Sequence, residues 1–327
     1  MNIRKILSLT ACSVLASGYL FAGSSTMNFP AVYEKECQGC HGPIHQGGVG
    51  SDLRPEALKK KERHVLRDAV LNGVPNTAMP QWQHMFSKDD ADGMVDWLMD
   101  WKDNTNFKLN MNEIKGSWTK LADREELAKK YPNSVDTKSV LDITFATERD
   151  ASLVDFIDST NGKVLSRHKA GFAVHVTVTN KANPRYAYSI SRSGRLTMFD
   201  IAAPGQPAVA SVQVGYESRG LAVSPDGKYV IAGNYTPGGA VLCDAMTLEP
   251  LKVFDTSAVI NIDGQIESSR VASLADTPYG PYFAMALKDA GRVYLIDYSK
   301  PGFPIVGDIP NIGKILHDAF LNEDEGK

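Results

Sequence analysis

The chain has only four cysteines among its 327 residues, too few for a scaffold held together by disulfides. It also lacks an excess of charge of one sign. Its 35 basic and 38 acidic residues leave a net charge of −3, so the composition provides no general electrostatic basis for binding nucleic acid. No apolar run of roughly 18 residues follows the N-terminal region, and we expect no transmembrane helix in the mature chain. Hydrophobic residues make up 43%, enough for about two folded domains.

The N-terminal region has the order of residues that is typical of an export signal. Two basic residues precede an apolar run over residues 6–22, and small residues follow. This order predicts a signal peptide over residues 1–22 and a bacterial periplasmic location. Two alternatives remain open. One is a short membrane anchor, and the other is a lipoprotein with a lipidated Cys12, because residues 9–12 resemble a lipoprotein cleavage box.

Cys37, Cys40 and His41 form a C-x-x-C-H motif. Two thiols three positions apart on one helical turn can form thioethers with both vinyl groups of a haem, and the adjacent imidazole can then reach the iron. A redox dithiol or half of a zinc site would also contain C-x-x-C. The export signal and the lack of a second cysteine pair favour covalent haem c, with His41 as an axial iron ligand.

Met79 is the candidate for the second axial ligand of this haem. It precedes Pro80, which stiffens the loop that must hold the sulfur, and a Met opposite a His raises the haem potential. Ordinary core packing is the alternative role for this methionine. The competing ligands are three histidines that we expect at the surface, His45, His64 and His84.

A capping box at residues 87–90 predicts the start of an amphipathic helix. The attachment motif, the Met-Pro loop and this closing helix resemble the class I cytochrome c family. We therefore expect a small all-α cytochrome c domain over residues 23–104 and a polar linker over residues 105–138 with one short helix near residues 124–129.

The region 139–327 changes to short β-rich runs that repeat. The repeats close on aspartates spaced by 42, 44 and 53 residues, which are Asp158, Asp200, Asp244 and Asp297. A β repeat near this period predicts propeller blades of four strands each, with the aspartates in turns. A β-sandwich of unrelated strands is the alternative.

A second alignment of the repeats concerns residues that can bind a cofactor. His175, Arg219 and His317 each lie four residues after a glycine that begins a blade. Equivalent positions on innermost strands face the central channel of a propeller, so these side chains should converge. Because imidazole ligates iron and arginine pairs with carboxylates, the set suits an iron macrocycle with anionic side groups.

At this point the sequence resembles the cytochrome cd1 family, in which a c-haem domain precedes a haem d1 propeller. The resemblance spans nearly the whole mature chain and is carried by residues 37–41, 78–80, 149–150, 173–176, 191–195, 217–219, 247–250 and 316–318. It implies a non-covalent haem d1 with His175 as the proximal iron ligand and His317 on the distal, catalytic side. It also implies, from a weaker alignment, four residues that hold the d1 carboxylates: Arg149, Arg192, Arg219 and Tyr235.

The sequence departs from this family pattern in two ways, which concern the number of propeller blades and the residues that follow His317. The family propeller has eight blades, whereas residues 139–327 allow about four, and residues 322–327 resemble a turn whose next strand is missing. We therefore expect a partial propeller and a sequence that is incomplete at its C-terminus. Where the family's nitrite reductases tend to have His-Asp-Gly-Gly, Ala319 and Phe320 follow His317 and Asp318. This difference concerns the catalytic role rather than macrocycle binding.

The resemblance implies a respiratory oxidoreductase of denitrification that reduces nitrite to nitric oxide. Its electrons would come from a small cytochrome c or cupredoxin in the periplasm and would pass from the c haem to the d1 haem. The first alternative is a haem d1 biogenesis dehydrogenase, for which a d1 precursor is the substrate and the c haem accepts electrons. The second is a non-catalytic c-type electron carrier or d1 carrier. Dimers occur in this family, so a homodimer also remains open.

Overall fold

The computed structural model describes residues 27–318 except 43, 46, 48, 49, 60, 103–108, 133–139, 150, 204, 206, 207 and 278. The predicted export signal, Cys12, Ala319, Phe320 and the C-terminal turn therefore lie outside the described residues. A search of the described helices finds none that combines the length and the apolar character needed to cross a membrane.

The N-terminal part is helical. Its elements are α1 (Phe29–Val32), a π-helical turn (Tyr33–Cys37), α2 (Gln38–His41), α3 (Pro55–Leu58), α4 (Arg63–Asn72) and α5 (Lys88–Asp100). The predicted capping box is confirmed: the Ser87 hydroxyl accepts from the Asp90 N–H, and the Asp90 carboxylate accepts from the Ser87 N–H. Helix α5 buries Met94 and Leu98 beside Tyr33 in one apolar cluster, which also forms a wall of the site described below.

The predicted linker contributes to the second half of the structure. It contains α6 (Met111–Ser117), β1 (Thr119–Lys120) and α7 (Arg124–Lys130), the last at the expected position. Ile114 and Leu127 pack into the same core as Tyr188 of the β region, and the Trp118 indole N–H donates to the Thr247 carbonyl at 2.9 Å. Apolar side chains from this segment are buried against the sheets. The folded β region therefore begins earlier in the chain than the predicted boundary at residue 139.

The remaining elements are short antiparallel strands. They are β2 (Ile143–Glu148), β3 (Leu153–Asp158), β4 (Val164–Lys169), β5 (Val174–Thr179), β6 (Tyr186–Ser191), β7 (Arg195–Asp200), β8 (Ala210–Gln213), β9 (Glu217–Val223), β10 (Tyr229–Thr236), β11 (Gly239–Asp244), β12 (Pro250–Asp255), β13 (Val259–Ile260), β14 (Ile266–Glu267), β15 (Val271–Asp276), β16 (Tyr282–Leu287), β17 (Arg292–Asp297) and β18 (Ile305–Ile309). Strands β5–β8, β9–β12 and β15–β18 form three sheets of four consecutive strands, and β1 joins the outer edge of the first. These sheets have the connectivity of propeller blades, and among the described residues they do not close into a ring.

The four repeated aspartates end equivalent strands, β3, β7, β11 and β17. Each carboxylate accepts a hydrogen bond from the backbone N–H two residues later; for Asp200 the donor is Ala202, and for Asp244 it is Met246. The expected turn role of these residues is therefore confirmed. The alignment also shows that β2, β3 and β4 correspond to the second to fourth strands of a blade.

Strands β5, β9 and β15 are the first strands of their sheets, and they lie side by side. Their N-terminal ends meet the turns that join the second and third strands, because alternate strands in an antiparallel sheet run in opposite directions. At one end of the β region, the first residues of the inner strands therefore lie next to the turns between the second and third strands of each sheet.

Candidate functional site

The helical part contains a cavity of about 410 Å³ that is lined by Cys37, Cys40, His41 and Met79. Most of the remaining lining is apolar and includes Leu66, Val70, Trp82, Phe86, Met94 and Leu98. Residues that are far apart in the sequence therefore face one apolar space. An imidazole, a thioether and two adjacent thiols form the donor set that covalent haem c requires, so the residues present fit that group.

His41 is held in one orientation. Its Nδ1 donates to the Ser51 carbonyl at 2.7 Å, which leaves Nε2 as the ring nitrogen that can bind iron. A Cβ added at Gly50 would lie 2.6 Å from Cε1 of this ring, so the backbone must be glycine where it passes the imidazole. Burial lowers the pKa of His41, while the hydrogen bond to Ser51 opposes that shift. The neutral ring is the form that ligates a metal.

Met79 lies at the end of a tight loop that follows α4. Helix α4 ends at Gly73, whose φ of 69° lies in the left-handed region, and an added Cβ there would lie 2.6 Å from the Met79 carbonyl oxygen. Thr77 donates from its hydroxyl to the Val74 carbonyl at 2.8 Å, and the same oxygen accepts from the Met79 N–H at 3.1 Å. The loop is therefore closed by the side chain of a residue two positions before the methionine.

The three competing histidines do not line the cavity. His64 and His84 are exposed, as expected, but the expectation of a surface position for His45 is wrong. Only 2% of His45 is exposed, because its ring is enclosed by Tyr33, Trp97 and Trp101 at centroid distances of 4.3–5.0 Å. Burial first, and then the charge of His41, lower the pKa of His45 to about 4.

In the β region, His175 lies near the start of the inner strand β5 and its side chain remains accessible. Partial desolvation lowers its pKa first, and the positive charges of Arg219, Arg192 and Arg149 lower it further. The three predicted arginines therefore lie close enough to the predicted proximal histidine for their charges to affect it. The arginines come from three different sheets, because Arg149 follows β2, Arg192 follows β6 and Arg219 belongs to β9.

Two of these arginines share one carboxylate. Glu217 accepts from a terminal nitrogen of Arg192 at 2.8 Å and lies 3.5 Å from a terminal nitrogen of Arg219. The Arg219 guanidinium carbon also lies 4.7 Å from the centroid of the Tyr235 ring. Nε of Arg219 is buried and has no hydrogen-bond partner in the part of the chain that the structure describes. This donor is therefore unsatisfied within the described part of the chain.

Sequence reasoning missed two further cations at this site, Arg270 and Lys288. Their charged groups lie 5.2 and 5.8 Å from the centroid of the Tyr235 ring. Lys288 could have been found, because it directly follows its strand as Arg149 and Arg192 follow theirs. Arg270 precedes the inner strand β15 without the glycine spacing that marked the other inner strands, so the sequence offered no signal for it.

His317 lies in a segment that is bound to the same end of the last sheet. The Leu316 N–H donates to the Lys288 carbonyl at 3.1 Å, and the His317 side chain is 68% exposed. Its Nδ1 lies 2.9 Å from a carboxylate oxygen of Asp318. The structure thus brings the segment to the cation-rich end, and the distal role of His317 stays a prediction.

The charge of the site is predominantly positive. Among the described residues, Glu217 forms ion pairs with Arg192 and Arg219, and Asp289 forms one with Arg270, so these two carboxylates face three arginines. A surplus of guanidinium groups around an accessible imidazole suits a metal macrocycle with several carboxylates. The residues present therefore fit haem d1.

Comparisons with known proteins give matches for both parts of the chain. Residues 138–326 match the family model described as Cytochrome D1 heme domain, and residues 25–98 match Cytochrome C oxidase, cbb3-type, subunit III. The chain is 27% identical over 313 residues to a nitrite reductase of Stutzerimonas stutzeri, with 88% of this chain and 53% of that protein covered. It is 28% identical over 294 residues to a dihydro-heme d1 dehydrogenase of Pseudomonas aeruginosa, with coverages of 90% and 57%.

A solved structure of the dihydro-heme d1 dehydrogenase NirN in complex with DHE matches with a TM-score of 0.64 and 28% identity. The match covers 86% of this chain and 58% of that chain, so this chain spans about half the length of the relatives it matches. The predicted architecture of a small cytochrome c domain followed by a d1-type β region is confirmed. Because the model of the cytochrome d1 haem domain matches more than half of this sequence, the chain belongs to the cytochrome d1 haem domain family.

Proposed function

We propose that this chain works as a periplasmic haem c and haem d1 oxidoreductase. One observation carries the proposal. A single chain combines a His41–Met79 cavity that contains two attachment cysteines with a cation-rich site around an accessible His175. When bound, the two haems supply one-electron transfer and the iron or macrocycle at which the substrate reacts.

In the helical domain, the protein orients the ligands of the c haem. Cys37 and Cys40 supply the two thiols for covalent attachment. The Ser51 carbonyl holds Nδ1–H of His41, so that Nε2 is the nitrogen that can ligate iron, and the loop closed by Thr77 leads to Met79, which lines the same cavity. The apolar lining excludes water, which limits the reorganisation of solvent around a change in charge.

In the β region, the arginines and Lys288 would bind the carboxylates of haem d1, and His175 would supply the nitrogen that ligates its iron. Tyr235 is 8% exposed and lies under three cations, so its ring fixes the positions of charges that would otherwise repel one another. In the imidazolium form of His317, Nδ1–H donates to the Asp318 carboxylate and Nε2 carries the second proton. A proton at this atom can be given to a substrate oxygen that leaves as water.

Nitrite reduction to nitric oxide is the first reaction that we propose. Each turnover consumes one electron and two protons and releases one water; the c haem would supply the electron, His317 would supply one proton, and solvent would supply the other. The electron would come from a small cytochrome c or a cupredoxin in the periplasm. The matched nitrite reductase of Stutzerimonas stutzeri supports this reaction.

Oxidation of a haem d1 precursor is the second candidate, and the solved dihydro-heme d1 dehydrogenase supports it. The macrocycle would then be the substrate, and the c haem would accept its electrons. His317 is followed by Asp318, Ala319 and Phe320, whereas the nitrite reductases that the sequence resembles tend to have two glycines at the last two positions.

The deciding experiment uses the protein matured with haem c and then loaded with haem d1. Sustained conversion of nitrite into nitric oxide by the reduced protein would establish the reductase. Binding of d1 without turnover, together with reduction of the c haem by added precursor, would establish the dehydrogenase. If the protein does not bind d1 at all, both enzyme assignments are wrong and an electron carrier remains.

A further inference from the structure

Glu217 is a nearly buried carboxylate between two arginines of the cation-rich site. Its side chain is 12% exposed, and those of Arg192 and Arg219 are 11% and 20% exposed. Arg192 belongs to the turn after β6, whereas Glu217 and Arg219 begin β9, so this contact joins two sheets. The Ser218 N–H also donates to the Arg192 carbonyl at 3.3 Å, which fixes the two backbones next to each other.

A carboxylate in a site for an anionic macrocycle has two opposing effects. Its negative charge repels the carboxylates of the ligand, which weakens binding. It also holds two flexible guanidinium groups in fixed positions, and this lowers the side-chain entropy that is lost when the ligand binds. Burial lowers the pKa of Arg192, and the hydrogen bond to Glu217 opposes that shift, so the contact also compensates for burying the cation.

The geometry argues that positioning outweighs repulsion. Glu217 contacts terminal nitrogens of the two arginines. The N–H at the buried Nε of Arg219 has no hydrogen-bond partner among the described residues. The centroid of the Tyr235 ring also lies 4.7 Å from the guanidinium carbon of Arg219. A guanidinium held by both contacts can present its remaining donors in a single orientation.

We infer that Glu217 is a positioning residue, which orients Arg192 and Arg219 toward the carboxylates of a tetrapyrrole bound at His175. The inference rests on the proposed function, because it requires that the site binds such a ligand. It assigns to Glu217 a favourable effect on the binding of an anion, the opposite of what its charge alone would produce.

The test compares two iron porphyrins that differ in their number of carboxylates. Iron coproporphyrin has four, and protohaem has two. Both are titrated into the haem c-loaded protein and into its Glu217→Gln variant, which keeps the side-chain shape and loses the charge. We expect coproporphyrin to bind about tenfold more weakly to the variant, as for the loss of a charged hydrogen bond, and protohaem to weaken by a smaller factor.

Glu249→Gln provides the matched control, because Glu249 is exposed in the turn at the opposite end of the same sheet. It changes the net charge by the same amount and should leave both affinities within about twofold of wild type. Urea unfolding of each variant checks that the β region is still folded. Glu217→Asp keeps the charge and, in a folded protein, should recover part of the preference for coproporphyrin.

The outcomes separate the inference from the proposed function. If wild type binds neither porphyrin, the proposed d1 site is wrong, and the inference is wrong with it. If wild type binds both and Glu217→Gln binds coproporphyrin as tightly or more tightly, Glu217 acts only through its charge and the inference alone is overturned. An equal loss for both porphyrins would show a general structural role and would also overturn it.

Discussion

The hydroxyl of Thr77 accepts a hydrogen bond from the backbone N–H of Met79 at 3.1 Å while donating to the Val74 carbonyl at 2.8 Å. This side chain therefore ties together both ends of the loop that presents the sulfur. We predict that Thr77→Val weakens ligation by Met79, because both hydrogen bonds are lost. Added imidazole should then bind the ferric c haem about tenfold more tightly than in wild type.

The measurement is an imidazole titration, followed by the absorption band that reports sulfur–iron ligation. Thr77→Ser keeps the hydroxyl and should behave as wild type, while Met79→Ala gives the fully open reference. Equal imidazole affinities in Thr77→Val and wild type would contradict the positioning role of Thr77. An unchanged band in Met79→Ala would instead show that Met79 is not the ligand.

Gly50 is the second position at which the haem c site can be tested. A Cβ there would lie 2.6 Å from Cε1 and 2.7 Å from Nδ1 of His41, so Gly50→Ala must displace the imidazole or the backbone. We expect the free energy of unfolding of the helical domain to fall by about 1–3 kcal/mol and the haem spectrum to change. Gly116→Ala is the control, because an added Cβ in α6 meets nothing within 4 Å. Identical stabilities for the two variants would contradict the close approach to His41.

The buried His45 makes the stability of the helical domain depend on pH. Its pKa is lowered from 6.5 to about 4 in the folded protein, so the unfolded chain binds the additional proton between these values. The stabilisation is complete above pH 6.5 and is lost as the pH falls toward 4, by up to about 3 kcal/mol.

Urea unfolding of wild type and His45→Phe at pH 7 and pH 4 isolates this effect, because the other titrating groups are common to both proteins. We expect wild type to lose more stability than His45→Phe when the pH is lowered. A difference between the two proteins that stays constant from pH 7 to pH 4 would show that His45 titrates normally.

Removing the charge of Lys288 should raise the stability of the protein and weaken the binding of an anionic porphyrin. It is 9% exposed, and burial, followed by the charge of Arg270, lowers its pKa. Lys288→Met should raise the free energy of unfolding by about 1 kcal/mol, since a buried charge is replaced by an apolar side chain of similar length. It should also weaken coproporphyrin binding several-fold, because one of the cations at Tyr235 is lost.

Thermal or urea unfolding and the porphyrin titration measure the two effects on the same sample. Lys163→Met is the matched control, since Lys163 is exposed in the turn before β4 at the other end of its sheet. We expect no change in binding for this control. Unaltered porphyrin affinity in Lys288→Met would remove Lys288 from the site.

Most of the residues that carry short-range signals were predictable. The capping box at Ser87 and Asp90 and the turn aspartates of the four repeats depend on contacts within about four residues, so the sequence determines them directly. The family resemblance likewise rested on local motifs, and the comparisons confirm it. The assignment of individual ligands stays a prediction.

The burial of His45 and the role of Glu217 could not be predicted, because both depend on residues distant in the chain. His45 is enclosed by Trp97 and Trp101, which lie more than fifty positions later. Glu217 faces Arg192 from a neighbouring sheet, and no periodicity in the sequence reports which side chains meet across two sheets.

The sequence by itself determined where a haem can be attached, because C-x-x-C-H places two thiols and an imidazole on one turn of chain. It also determined the repeat of the β region, because each blade ends in a turn that an aspartate stabilises within a few residues. Only the tertiary structure decided that Arg270 and Lys288 join the predicted arginines at the second site. Arg192, Arg219, Arg270 and Lys288 come together because the inner strands of separate sheets lie side by side, and that packing depends on apolar contacts spread over the whole region.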